Sequence, residues 1–168
     1  RLMLSFYKVI SEAHIPALAT LGSACFDISA SLVPDTDVVV YEFSGEKTLR
    51  RVNKFGSIEI NQFDRMLVPT NIILDIPVGH SVRIHPRSGL SLKQGLILAN
   101  CEGVIDSDYV DPLFVMLYNI SGRFQTVSDG DRIAQGELVQ TVGYMLSETT
   151  VKPQQKTDRI GGFGSTGV

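Results

Sequence analysis

Short runs of Val, Ile, Leu, Tyr and Phe, each cut off within a few positions by Gly, Pro, Asn or Asp, most limit what this chain can fold into. β-branched and aromatic side chains suit a pleated, half-buried surface, and turn residues at short intervals make the chain reverse rather than wind. The runs fall at 38–43, 57–60, 66–68, 72–76, 81–85, 96–99, 113–118 and 138–142. No segment longer than about three turns keeps a helical apolar period. The best short helix is 88–94, with Ser88 as its N-cap and Gly95 as its stop. The pattern predicts an all-β domain, a sandwich or barrel, with one short helix.

Composition narrows the function. With 168 residues, 43% of them hydrophobic and 20% charged, one packed domain is expected. The net charge is -3 and the Lys and Arg residues are scattered, which argues against an extended nucleic-acid surface though not against a local anion site. No run reaches membrane-spanning length, so no membrane partner is expected, and residues 1–6 are too mixed for a signal peptide. Cys25 and Cys101 stand far apart in no CxxC pattern, which suits reduced thiols in the cytoplasm. The histidines, His14, His80 and His85, lack metal-ligand spacing with the cysteines, so no zinc site is expected. No G-x-S-x-G element, Walker sequence or dinucleotide fingerprint is present.

Two segments stand apart from the β pattern. Residues 35–64 place Gly45, Glu46, Lys47, Arg50, Arg51 and Lys54 between β-like pieces and read as an insert, in the form of an extra hairpin. Residues 152–158 are polar and Pro-marked, the composition of a solvated linker. Beyond them, 159–168 set four glycines around Phe163, and such a segment cannot fold alone because ordering it buries almost nothing apolar. It is either a disordered end or an arm that orders on a ligand. The expected organisation is a β body over 1–151 and a linker with a mobile arm over 152–168.

Four segments carry chemistry. At Pro86-Arg87-Ser88-Gly89-Leu90 a strand ends and a helix begins. Free N–H groups, a hydroxyl and a guanidinium together there make a phosphate seat, against the plainer reading of a helix start with an exposed Arg. Gly130-Asp131-Arg132-Ile133-Ala134-Gln135 is a turn entering a strand, in which Asp131 and Arg132 can pair and Gln135 offers an amide. Ser23-Ala24-Cys25-Phe26-Asp27-Ile28 sets one acid in an apolar piece, where a carboxylate needs a partner, a metal or a water. Residues 100–109, from Asn100 to Tyr109, lie between two apolar runs as a polar hairpin.

Taken in order, 23–28, 86–95, 103–109, 130–135 and 159–167 resemble the five motifs of the trimeric dUTPase family, over roughly residue 13 to the C-terminus. Gly103-Val104-Ile105-Asp106-Ser107-Asp108-Tyr109 and Gly161-Gly162-Phe163-Gly164-Ser165-Thr166-Gly167 are the most diagnostic. The resemblance implies a jelly-roll-like homotrimer with sites shared between subunits, hydrolysing dUTP to dUMP and pyrophosphate with Mg2+. It implies that Asp106 is the general base and that Asn100, Gly103, Ile105, Tyr109 and Phe163 hold the nucleoside. Arg87, Ser88, Gly89, Gln135, Arg159, Gly164, Ser165 and Thr166 would hold the phosphates, and Asp27 would face the metal through water.

The chain departs from the family's pattern at four places. Cys25 replaces the usual Gly of the first motif, and Val110-Asp111-Pro112 follows Tyr109 where x-Gly is usual. Arg159 and Phe163 are one residue closer than in the commonest form, and Asp27 lies further from Arg87, as an insert at 35–64 requires. That insert is expected on the surface, away from the catalytic groups. Two rivals are a dCTP deaminase of the same fold and a non-catalytic member that binds nucleotide or protein. The first lacks the glycine arm in this form, and the second would not need the water-activating Asp106.

Overall fold

The computed structural model describes residues 2–163. In chain order the elements are β1 (Ser5–Lys8), β2 (Ala17–Leu18), β3 (Phe26–Ser29), β4 (Asp37–Tyr41), β5 (Lys47–Arg51), β6 (Ser57–Ile60), β7 (Arg65–Pro69), β8 (Ile72–Asp75) and β9 (His80–His85). The rest are α1 (Ser88–Gln94), β10 (Leu96–Leu98), β11 (Gly103–Ile105), β12 (Phe114–Asn119), β13 (Gln125–Ser128) and β14 (Arg132–Gln140). One sheet runs β10-β12-β7-β4-β5 and the other β11-β9-β14-β3-β2, with the small pairs β1-β8 and β13-β6 beside them. Neither large sheet closes on itself, so of sandwich and barrel the architecture is the sandwich.

Alternation of side chains explains where the core lies. Val38 and Val40 of β4, Met66 and Val68 of β7, and Val115 and Leu117 of β12 point inward from one sheet. Val82 and Ile84 of β9, Ile28 of β3 and Ala134 of β14 meet them from the other. The intervening residues of β3, β9 and β14 therefore face outward, and among them are Asp27, His85, Gln135 and Glu137. A register shift between Arg132 and Ala134 inserts Ile133 as an extra inward residue. This bulge is why Arg132 and Gln135, three apart, reach the same outer face.

Three expectations change. The helix forms over the expected span with Gly95 in the left-handed region (φ 65°), but the N-cap position is held by Arg87, and Ser88 sits in the first turn. Residues 35–64 do contain a hairpin, β4–β5, yet β4 also pairs with β7, and Val38, Val40, Val52, Ile58 and Ile60 are buried. Arg50 of that hairpin is tied to buried Asp64 at 2.8 Å. The segment extends a sheet and fills core, because its alternating Val residues match the pleat of β7. Finally, 100–109 is no simple hairpin: β10 and β12 pair, but the loop between them crosses to the other sheet, where β11 pairs with β9.

Candidate active site

The outward face of β3, β9 and β14 holds a cleft of about 340 Å³ lined by Ala19, Ser23, Cys25, Asp27, Arg87, Ser88, Gly89, Arg132 and Gln135, among others. Asp27 lies opposite Gln135, which lies opposite His85, so three strands deliver one continuous polar face. Asp27 has its partners: Arg87 Nε lies 3.3 Å from Oδ1 and Arg132 Nη1 3.3 Å from Oδ2. Arg132 therefore does not pair with Asp131, whose carboxylate instead accepts the Ser128 N–H. Arg87 Nη1 also donates to the Arg132 carbonyl, and Gln135 Nε2 donates to the Pro86 carbonyl at 3.0 Å. Two guanidiniums, an exposed Ser88 hydroxyl and the open Gly89 together form an anion-binding surface.

The loop after β10 has a different character. Gly103 is buried against β9, and a Cβ there would fall 3.0 Å from Ile84 Cβ, so a larger residue would push Ile84 or the loop aside. Ile105 is half-buried, while Asn100 and Asp106 are exposed. The Tyr109 N–H bonds to the Asp106 carbonyl and its hydroxyl donates to the Pro112 carbonyl at 3.1 Å. Val110-Asp111-Pro112 thus supplies the acceptor that anchors Tyr109. None of Asn100, Asp106 and Tyr109 lines the cleft. The described part of the tail, through Phe163, is exposed; among the described residues the Arg159 N–H donates to Thr157 and its carbonyl accepts from Gln155. Gly164, Ser165 and Thr166 lie outside the described residues.

A family profile described as dUTPase matches residues 55–167. A deoxyuridine 5'-triphosphate nucleotidohydrolase of Dinoroseobacter shibae is 38% identical over 91% of this chain and 87% of its own. One of Finegoldia magna is 35% identical over 95% and 97%. The chain belongs to the dUTPase family. Its fold agrees: a dUTPase of Staphylococcus bacteriophage 80alpha, solved as a G164S mutant with dUpNHpp, superposes with a TM-score of 0.77 at 18% identity over 99% of both chains. The Streptococcus mutans dUTPase gives 0.64 at 23% identity over 83% of this chain and 98% of that one.

Within this dUTPase-family site, several residues escape the sequence. Arg132 joins Asp27 only because the β14 bulge turns it outward. Gly136 faces Phe26 so closely that a Cβ would fall 2.4 Å from the ring, and Phe26 sits between Cys25 and Asp27. The signal was a lone Gly inside an apolar strand pattern. Spacing along the chain joined no histidine to a cysteine and gave no zinc site, yet the fold brings one pair together. Sheet pairing brings Cys25, His85 and Glu137 within 4.8 Å of one another, a proximity that spacing along the chain does not encode. Burial, and then the Glu137 charge, push the Cys25 thiol up from its ordinary pKa.

Proposed function

We propose that this chain hydrolyses dUTP to dUMP and pyrophosphate, keeping uracil out of DNA and supplying dUMP for thymidylate synthesis. The observation that carries the proposal is the cleft in which Asp27, Arg87, Ser88, Gly89 and Gln135 converge, on a chain of the dUTPase family. Arg87, Ser88, Gly89 and Gln135 hold the phosphates, joined by Arg159, Gly164, Ser165 and Thr166 of the arm. The exposed loop takes the nucleoside: Asn100 faces the base edge, Gly103 and Ile105 shape the slot, and Tyr109 leaves no room for a 2′-hydroxyl. Phe163 covers the base.

Asp106 orients a water and takes its proton as the water oxygen bonds to the α-phosphorus and the bond to the departing pyrophosphate oxygen breaks. A carboxylate suits this because it need accept charge only as the transition state develops, a contribution of about 10²–10⁴-fold. The two guanidiniums beside Asp27 offset charge on the phosphates without reorganising, since strand pairing already sets them. Mg2+ fits the site indirectly. Each Asp27 oxygen faces one guanidinium and keeps a further lone pair for a water of a hydrated cation that arrives on the triphosphate. When bound, such an ion neutralises phosphate charge.

The active assembly is a homotrimer. The cleft of one chain lacks Asn100, Asp106 and Tyr109, which supports their delivery by a neighbouring subunit, with the arm from a third. The two free cysteines fit a reducing, cytoplasmic setting. The deciding experiment is Asp106→Asn with nucleotide binding and turnover measured together. Binding kept and turnover lost by about 10²-fold or more is expected; unchanged turnover overturns the general-base role. Release of ammonia from dCTP in place of pyrophosphate from dUTP would turn the reading to a deaminase.

A further inference from the structure

Outside the phosphate-binding groups, the outer sheet face carries a second cluster. Glu137 of β14 lies diagonal to His85 of β9, and because Phe26 pairs with Gly136, Cys25 comes opposite Glu137 on the same face. One donor from each of the three residues lies within 4.8 Å of the others, and all three are half-buried. His85 Nε2 is 3.0 Å from Glu137 Oε2, while its Nδ1 looks toward Glu102 Oε2 at 3.7 Å. Glu102 is in turn held by Arg83 at 3.6 Å. A carboxylate behind one ring nitrogen, with the other facing a second carboxylate and a thiol within 4.8 Å of the pair, matches how metal-binding histidines are oriented.

We propose that Cys25, His85 and Glu137 bind a borderline-soft divalent transition ion of the zinc class. The donor set decides the ion: sulfur and nitrogen suit zinc and its kin and disfavour Mg2+, which takes oxygen donors. Tetrahedral ligation with donors about 2.1 Å from the ion separates ligand atoms by about 3.4 Å. His85 and Glu137 already stand 3.0 Å apart and all three donors lie within 4.8 Å, close to that spacing, and a three-residue set leaves the fourth position to water. Cys25 stands where the family's first motif usually has Gly, so the thiol is not part of that usual motif. An ion there would clip β9 and β14 to the residue leading into β3, directly beside the phosphate seat.

The full chain, stripped with chelator and held in excess Mg2+, is titrated with Co2+ and then with Zn2+. One Co2+ per chain is expected, with a thiolate-to-cobalt charge-transfer band that Zn2+ abolishes, and Zn2+ should raise the melting temperature. Cys25→Gly, the residue usual in the family, and Cys25→Ser as a second variant should both lose the band. Glu102→Gln should keep the band and weaken binding by about 10-fold. Cys101→Ser should change none of these. The proposal is overturned if the native chain gives no band, if the band survives in either Cys25 variant, if it is lost with Cys101→Ser, or if Mg2+ displaces the Co2+.

Discussion

Asp27, Arg87 and Arg132 hold one another beside strands β3, β9 and β14, with Gln135 tied to the adjacent Pro86 carbonyl, whereas Asn100, Asp106, Tyr109 and Phe163 stand on a loop and a tail with few ties beyond themselves. The proposed phosphate end is set by sheet register. The proposed nucleoside end must be positioned by something else, a neighbouring subunit or the nucleotide, and its ordering is opposed by conformational entropy. The difference points to a division of labour, with a preformed anion seat and a cover assembled over it.

The largest effect comes from splitting the two ends between chains. On the proposed roles Arg87→Ala removes a phosphate ligand and Asp106→Asn the water-activating group, so each variant alone should be nearly inactive. Mixed one to one and reassembled as the proposed trimers, about a quarter of the sites should draw an intact group from each chain and recover turnover. No recovery above the separate variants would place both ends in the same chain and remove the comparison. Next in size, ending the chain after Asp158 should lower kcat at least about 10²-fold while leaving the melting temperature nearly unchanged. A trimer that falls apart on truncation would make the tail structural.

A smaller and opposite test strikes the preformed end. Asp27→Ala leaves the Arg87 and Arg132 guanidiniums without their shared carboxylate. These groups are partly exposed, Arg132 by 58%, so the stability loss should stay within about 1 kcal/mol. The loss in kcat/KM should be about tenfold or more, because two like charges then turn away from each other and from the phosphates. Gly136→Ala acts on the scaffold instead: its methyl meets the Phe26 ring and should cost about 1–3 kcal/mol in denaturant unfolding, with a modest fall in activity. If stability is kept and activity lost, the ring positions Asp27 and does not simply fill space.

Legibility followed the range of the interactions. Alternating Val38 and Val40, Ile72 and Leu74, and Val115 and Leu117 announced strands because period-2 burial is local, and Gly95 announced the helix end for the same reason. The two-residue strand β2 was missed, and the charged β5 was foreseen only as part of an extra hairpin, because pairing rather than apolar pattern holds them. Candidate residues could be named from motif order, but their contacts could not. That Asp27 meets Arg132 depends on a bulge, and that Cys25 meets His85 depends on two registers at once. Residues 35–64 looked like an addition because their charge pattern is a surface pattern. Their inward-facing Val and Ile residues belong to the core, which only the pairing with β7 makes plain.

The two thiols report on the two ends at once, with the smallest effect. Cys101 is exposed in a left-handed turn of the nucleoside loop (φ 63°), and Cys25 is half-buried at the edge of the phosphate cleft. Burial and then the Glu137 charge raise the pKa of Cys25, so at mildly alkaline pH less of it is thiolate than its ordinary pKa would give. In metal-free protein, alkylation followed by peptide mass mapping should modify Cys101 first and Cys25 more slowly by roughly an order of magnitude. Raising the pH should narrow the gap, since the slower thiol then gains thiolate. Glu137→Gln removes the charge contribution and should speed Cys25 without touching Cys101. A saturating dUTP analogue should slow both thiols, whereas pyrophosphate, which fills only the cleft that Cys25 lines, should slow Cys25 and leave Cys101 unchanged. Protection of Cys101 by pyrophosphate alone would mean that the two ends close together, and the contrast between a preformed seat and an assembled cover would fail.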